Sequence, residues 1–112
     1  MYLGRILAEE KDLSLDGEAI DGEAGVLLAQ QLRPDVILMD VHLPGINGLE
    51  ATSRIKEQLV ETIVIVLSVD EVYRDAAAKC GADAFLPKFS SISDILALIR
   101  RLRPMKAMPA PD

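Results

Sequence analysis

Three side chains that can act together on a phosphoryl group stand where apolar runs meet polar loops. Asp40 closes the run Asp35-Val36-Ile37-Leu38-Met39, Ser68 follows Thr62-Ile63-Val64-Ile65-Val66-Leu67, and Lys88 follows Ala82-Asp83-Ala84-Phe85-Leu86-Pro87. An aspartate can serve as the nucleophile that forms an acyl phosphate. A lysine offsets charge on the phosphoryl oxygens as a mobile point charge, and a serine hydroxyl donates to another of them. Each residue singly also has a plain reading, because Asp caps turns and Ser or Lys is ordinary where a strand meets water. Three at successive strand ends favour a shared site. In a parallel sheet those ends lie on one rim, where open α/β sheets carry their chemistry.

The elements that must position them can be read along the chain. Residues 2–10 read as a short helix with Leu3, Ile6 and Leu7 on one face. Residues 14–20 are a weak strand whose Asp16 and Glu18 suit a sheet edge. Asp21 caps a helix over 23–32, with Val26, Leu27 and Leu28 as its apolar surface, and Arg33-Pro34 ends it. A buried strand follows at 35–40, bounded by the loop Leu43-Pro44-Gly45-Ile46-Asn47-Gly48. The helix at 49–58 turns Leu49, Thr52, Ile55 and Leu59 inward. Residues 62–67 form a continuous β-branched run and read as a fully buried strand. An Ala-rich helix over 70–80 stops at Gly81, a short strand occupies 82–86, and a last helix over 91–103 carries Ile92, Ile95, Leu96, Ile99 and Leu102 as its core stripe. Residues 104–112, with Pro104, Pro109 and Pro111, read as a disordered tail or linker behind a domain at 1–103. Strands alternating with helices define an α/β, doubly wound parallel sheet.

Composition narrows the function. The 112 residues carry a net charge of −6, which argues against a grip on nucleic acid. Half the residues are hydrophobic but only 4% are aromatic, so an aliphatic core is expected. One Cys and one His exclude a disulfide framework and make a zinc site unexpected. No apolar run approaches the roughly 18 residues that span a bilayer, and Glu9, Glu10 and Asp12 do not suit a signal peptide. A cytoplasmic protein without membrane contact is the expectation.

The chain resembles the receiver domain of two-component response regulators, most closely the subfamily with a helix-turn-helix output domain. The resemblance rests on Asp-Gly-Glu-Ala at 21–24, Arg-Pro-Asp-Val-Ile-Leu-Met-Asp at 33–40, Leu-Pro-Gly-Ile-Asn-Gly at 43–48, Ile-Val-Leu-Ser at 65–68, Gly-Ala-Asp-Ala-Phe-Leu-Pro-Lys at 81–88, and the last helix. It implies a flavodoxin-like (CheY-like) fold and a signalling module rather than an enzyme. It implies that a histidine kinase phosphorylates Asp40, and that Ser68 and Lys88 contact the phosphoryl group. Asp40 and the backbone carbonyl of His42 are then ligands of Mg²⁺, and Phe85 matches the family's switch aromatic. The His42 side chain would sit beside the pocket, where it either tunes hydrolysis or is merely exposed. The face made by helix 70–80, strand 82–86 and helix 91–103 corresponds to the family's signalling and dimer surface.

One departure stands out. The family's first, central strand, which ends in a pair of acidic residues, is not evident, as if the chain were truncated at its N-terminus. An alternative reads Arg5-Ile6-Leu7-Ala8 as that strand and Glu9-Glu10 as the pair, with a spacing to Asp40 noticeably shorter than the family's. Without the pair, Asp40 and one carbonyl are a thin shell for a cation that wants octahedral oxygen coordination. Weak phosphorylation by small donors is then expected, with a pseudo-receiver that binds partners without phosphorylation as the alternative. A missing central strand also predicts a homodimer, a strand-exchanged oligomer or a loosely folded species. A haloacid-dehalogenase-like phosphatase is disfavoured, because His42 stands where its second Asp belongs.

Overall fold

The computed structural model describes residues 2–6 and 13–107. In chain order they form strands β1 (Tyr2–Ile6) and β2 (Leu13–Glu18), helix α1 (Gly22–Leu32), strand β3 (Val36–Asp40), helix α2 (Gly48–Gln58) and strand β4 (Ile63–Ser68). A single 3₁₀ turn, Glu71–Tyr73, runs directly into helix α3 (Arg74–Lys79), followed by strand β5 (Ala84–Pro87) and helix α4 (Ile92–Ala107). All six residues of β4 are buried, as an unbroken β-branched run requires.

The five strands make one sheet in the order β2-β1-β3-β4-β5, the 2-1-3-4-5 order of flavodoxin-like folds. β3, β4 and β5 are parallel, with Asp40 opposite Leu67 and Ser68 opposite Pro87. β1 runs antiparallel to both of its neighbours. One face of the sheet is covered by α1, α2 and α3, whose Val26, Ala29, Ala51, Ile55 and Ala77 pack on Ile37, Met39, Val64, Val66 and Phe85. On the other face α4 lays Ile95, Leu98, Ile99 and Leu102 against Val36, Ile63, Ile65 and Leu67.

Several expectations need correction. The helix at residues 2–10 is not formed over its first half. Tyr2–Ile6 is a strand, and residues 7–10 lie outside the described residues. Two apolar intervals cannot nucleate a helix, since a short helix in water is marginal, whereas a strand in the slot between β2 and β3 pairs its backbone on both sides. The family's parallel central strand, expected to be missing, is absent among the described residues, but its position is not empty: β1 fills it in the opposite sense. β1 is therefore not the Arg5–Ala8 strand considered above, and Glu9 and Glu10 lie outside the described residues.

In α1, Leu27 is exposed while Gly25, Val26 and Ala29 are buried. The helix 70–80 is broken at its start into the 3₁₀ turn, where Asp70 caps Val72 N. Strand β5 starts two residues later than expected because Asp83 is engaged by Val64: its N–H donates to Val64 O and its carboxylate accepts from Val64 N. In α4 the buried stripe turns from Ile92, which is exposed, toward Leu98. That helix also continues through Pro104 to Ala107, so 104–107 are helical rather than tail. Proline removes one N–H from the ladder and crowds the carbonyl four residues back, a cost borne here near the helix end, and Met, Lys and Ala after it are good helix formers. Residues 108–112 lie outside the described residues.

Candidate functional site

β3, β4 and β5 end side by side, and their ends carry the three residues singled out by type. Asp40 closes β3 with its side chain 19% exposed, and Lys88 follows β5 with Nζ 3.4 Å from Asp40 Oδ1. Ser68 closes β4 between them and is buried. Its Oγ accepts from Asp70 N at 3.1 Å, which leaves the hydroxyl hydrogen to donate elsewhere. The Lys88 N–H donates to Ser68 O at 2.9 Å, so backbone pairing fixes the last two groups relative to each other. The sheet thus brings together the carboxylate, the hydroxyl and the ammonium.

The loop after Asp40 is held against this rim by two glycines. Gly48 N donates to Val41 O at 2.8 Å. A Cβ at Gly48 would collide with the Asp40 carbonyl, a backbone group that cannot yield cheaply. Gly22, at the start of α1, donates to Pro44 O, and a Cβ there would strike the Ile46 backbone and side chain. Asn47 caps α2 by accepting from Glu50 N at 2.9 Å. The sequence showed Gly22 only as part of the Asp-Gly-Glu-Ala segment at 21–24. Its contact with the Pro44–Ile46 loop is a long-range one that no local pattern reveals.

His42 is exposed, and its ring meets Tyr73 edge-on with centroids 5.4 Å apart, which bridges the loops after β3 and β4. Phe85 is buried on the face covered by α1, α2 and α3, and the Arg74 guanidinium lies over its ring at 4.8 Å. Arg74 is in turn forked by Glu71, with Nε 2.8 Å and Nη2 3.0 Å from its carboxylate oxygens. This hydrogen-bonded pairing holds the Glu71 carboxyl below, and the Arg74 guanidinium above, its usual range. Neither Tyr73, Asp70 nor Arg74 was picked out by sequence, because each matters through a neighbour on another element.

The donor set suits a magnesium ion only in its most hydrated form. Asp40 offers a carboxylate and His42 a backbone carbonyl. Mg²⁺ accepts one or two carboxylates plus phosphate oxygens and keeps several waters. Among the described residues, no group of three or more His, Cys, Asp or Glu side chains gathers around Asp40 or elsewhere.

The chain matches the response regulator receiver domain family over residues 1–100. It belongs to that family. It is 35% identical over 99 residues to the nitrate/nitrite response regulator protein NarL of Escherichia coli strain K12, covering 87% of this chain and 46% of that protein. It is 40% identical over 104 residues to the transcriptional regulatory protein LiaR of Bacillus subtilis, covering 89% of this chain and 48% of LiaR. The chain therefore spans about half the length of the curated relatives it matches. Among solved structures it superposes on a LuxR-family two-component response regulator from Aurantimonas sp. SI85-9A1 with a TM-score of 0.75 at 23% identity, covering 82% and 67% of the two chains, a likeness of fold. The receiver domain of Francisella response regulator 1452 gives 0.67 at 27% identity, covering 78% and 74%. The receiver fold expected from the motifs is thus present. Among the described residues no helix is long and apolar enough to cross a membrane.

Proposed function

We propose that this receiver domain accepts a phosphoryl group on Asp40 from a histidine kinase. The observation that carries the reading is the convergence of Asp40, Ser68 and Lys88 on one rim, with the Lys88 ammonium 3.4 Å from the Asp40 carboxylate. An Asp40 oxygen attacks the phosphorus of a phosphohistidine. The P–N bond breaks, its electron pair returns to the imidazole, and the imidazole takes up a proton. Lys88 faces the charge that grows on the phosphoryl oxygens, and Ser68 donates its hydroxyl to one of them. Mg²⁺, held by Asp40, the His42 carbonyl and water, would offset the remaining charge. With so few acidic oxygens around it among the described residues, transfer from small phosphodonors is slow.

The signal leaves through the face of α3, β5 and α4, where Phe85 lies between the rim and the outer surface. A cytoplasmic location, pairing with a second copy, and a domain that reaches the end of α4 accompany this reading. The alternative is a pseudo-receiver that binds its partner without phosphorylation, favoured by the sparse acidic donors around Asp40 among the described residues. Incubation with a phosphorylated histidine kinase and Mg²⁺, followed by intact mass, separates them. One phosphoryl increment, lost in Asp40→Asn, is expected. No increment from any kinase or small donor would leave the pseudo-receiver.

A further inference from the structure

Phe89 stands in a backbone conformation that bulky residues rarely adopt. Its φ is 70°, one of two left-handed angles outside glycine among the described residues. The other belongs to Arg33, the C-cap of α1, at a helix end where such angles are common. Phe89 lies instead in the turn after β5. Ser90 N and Ser90 Oγ both donate to Pro87 O, at 3.2 Å and 2.6 Å, and close a turn with Lys88 and Phe89 as its central pair. A positive φ at the second central residue alone is the type II pattern, and that position favours glycine.

Burial does not offset the strain. Phe89 is 86% exposed and belongs to neither core cluster. Its ring instead meets its own neighbour: Lys88 Nζ lies 5.9 Å from the ring centroid, within reach of a cation–π attraction. The same Nζ lies 3.4 Å from Asp40 Oδ1. A lysine is hard to hold in one place, because its ammonium is a point charge on a flexible four-carbon stem. The Lys88 side chain is 40% exposed, so water competes for that charge. A ring face beside the ammonium favours the rotamers that keep it at the rim. The turn itself is tied there by the Lys88 N–H, which donates to Ser68 O. Glycine at position 89 would relieve the strain and lose the ring. Strain of this kind persists where it serves a site.

We propose that Phe89 is a positioning residue whose ring holds the Lys88 ammonium at Asp40, ready for the incoming phosphoryl group. This deepens, and rests on, the reading of Asp40 as the phosphoacceptor. Phe89 acts through Lys88 and need not touch the phosphoryl group itself.

The test compares Phe89→Tyr, which keeps a ring, with Phe89→Leu and Phe89→Gly, which do not. Lysine labelled with ¹³C at Cε reports the contact by NMR, and Lys88→Gln assigns the Lys88 signal. Its methylene protons are expected upfield of those of a free lysine in the parent and in Phe89→Tyr, and at the free position in the other two. With phosphoramidate and Mg²⁺, transfer to Asp40 read by intact mass should slow about two- to fivefold in Phe89→Leu and Phe89→Gly, the worth of one exposed cation–π contact. Phe89→Tyr should keep the parent rate. Phe89→Gly should melt within about 4 °C of the parent, because relief of strain offsets the entropy of glycine. A slower rate without lower stability is what a merely structural role would not produce. A Lys88 signal at the free position in the parent, unchanged rates in both ringless variants, or a Phe89→Tyr as slow as Phe89→Leu would overturn the positioning role. So would an effect seen with a phosphorylated kinase but not with phosphoramidate, which would mark Phe89 as a docking contact. No phosphoryl increment on the parent from phosphoramidate or from a phosphorylated kinase would instead overturn the reading of Asp40, whatever the Lys88 signal shows.

Discussion

At the rim of the sheet opposite Asp40, Lys56 reaches back from the last turn of α2 and ends among three acceptors. Nζ lies 2.6 Å from Thr62 O, 3.2 Å from Val60 O and 2.9 Å from Asp83 Oδ2, which uses all three of its hydrogens. The same Asp83 oxygen accepts from Val64 N at 2.9 Å. The Lys56 and Asp83 side chains are only 13% and 10% exposed. Removing one member of a buried pair strands the other's charge and typically destabilises by about 3–5 kcal/mol. Lys56→Met keeps the aliphatic stem and removes only the ammonium, so that range applies with little packing loss. A domain of this size is stable by about 5–15 kcal/mol, and each kcal/mol moves the midpoint by about 4 °C. Lys56→Met should therefore melt about 12–20 °C lower. Asp83→Asn keeps an acceptor for Val64 N and should lose less. Once Lys56 is gone the charge at Asp83 no longer has its ammonium, so the double variant should be more stable than the sum of the singles by about 2 kcal/mol. Urea denaturation of the four proteins measures this coupling. Additivity within about 0.5 kcal/mol would refute the reasoning. Whatever remains folded should phosphorylate as the parent does, since this rim is remote from Asp40.

Gly48→Ala forces a Cβ into the Asp40 carbonyl; it should destabilise by about 3 kcal/mol or more and impair phosphorylation even in the folded fraction, measured by urea melts and intact mass. Lys88→Gln should slow transfer to Asp40 about 10²–10³-fold, as loss of a preorganised charge does. Its effect on stability should stay within about 1 kcal/mol, because Lys88 is 40% exposed. The Glu71 carboxyl is held below its ordinary range by the hydrogen bond from Arg74. The fork therefore persists while ordinary carboxylates begin to protonate, is complete above the unfolded value, and is lost only as pH falls through the lowered folded value. An NMR acid titration of the Glu71 side-chain carboxyl should show its midpoint below that of a free glutamate, and a midpoint at or above it would contradict the pairing.

How much of this was legible depended on the range of the interactions. β3 and β4 announce themselves because a strand buried on both faces needs a continuous apolar run, and Asp40 and Ser68 follow as the residues at which those runs stop. Asp21 and Gly81 were readable as local chemistry, one accepting from Ala24 N and the other adopting φ 97° just past α3. The stripes of α1 and α4 were legible only in part. Val26 and Ile99 pack inward, but Leu27 and Ile92 point to solvent, since apolar type does not fix which side of a helix meets the sheet. The Arg74–Phe85 and Lys56–Asp83 contacts join elements that no spacing rule connects. β1 was misread for the same reason: its conformation is decided by the two strands that flank it.

The reversed middle strand does not disturb the rim, and the register explains why. β1 meets β3 at Val36, Ile37 and Leu38, whereas the position of Asp40 is fixed on its other side, opposite Leu67 of β4. From there, Val41 N donates to Leu67 O, and Lys88 N to Ser68 O. The three chemical groups are thus indexed to one another through the β3–β4–β5 ladder alone. Gly48 then clamps the Asp40 backbone from outside that ladder. A strand of either sense between β2 and β3 is compatible with the same convergence of carboxylate, hydroxyl and ammonium. What the sense of β1 does change is the direction in which the chain leaves the sheet. β1 runs from the level of Leu38 toward that of Val36, away from Asp40, so it presents its C-terminal end to the far rim. The described C-terminal end of β1 therefore lies away from a cation at Asp40. Lys88, with Nζ 3.4 Å from Asp40 Oδ1, faces the charge that grows there, which makes Lys88→Gln, after Asp40→Asn, the substitution to which this site should be most sensitive.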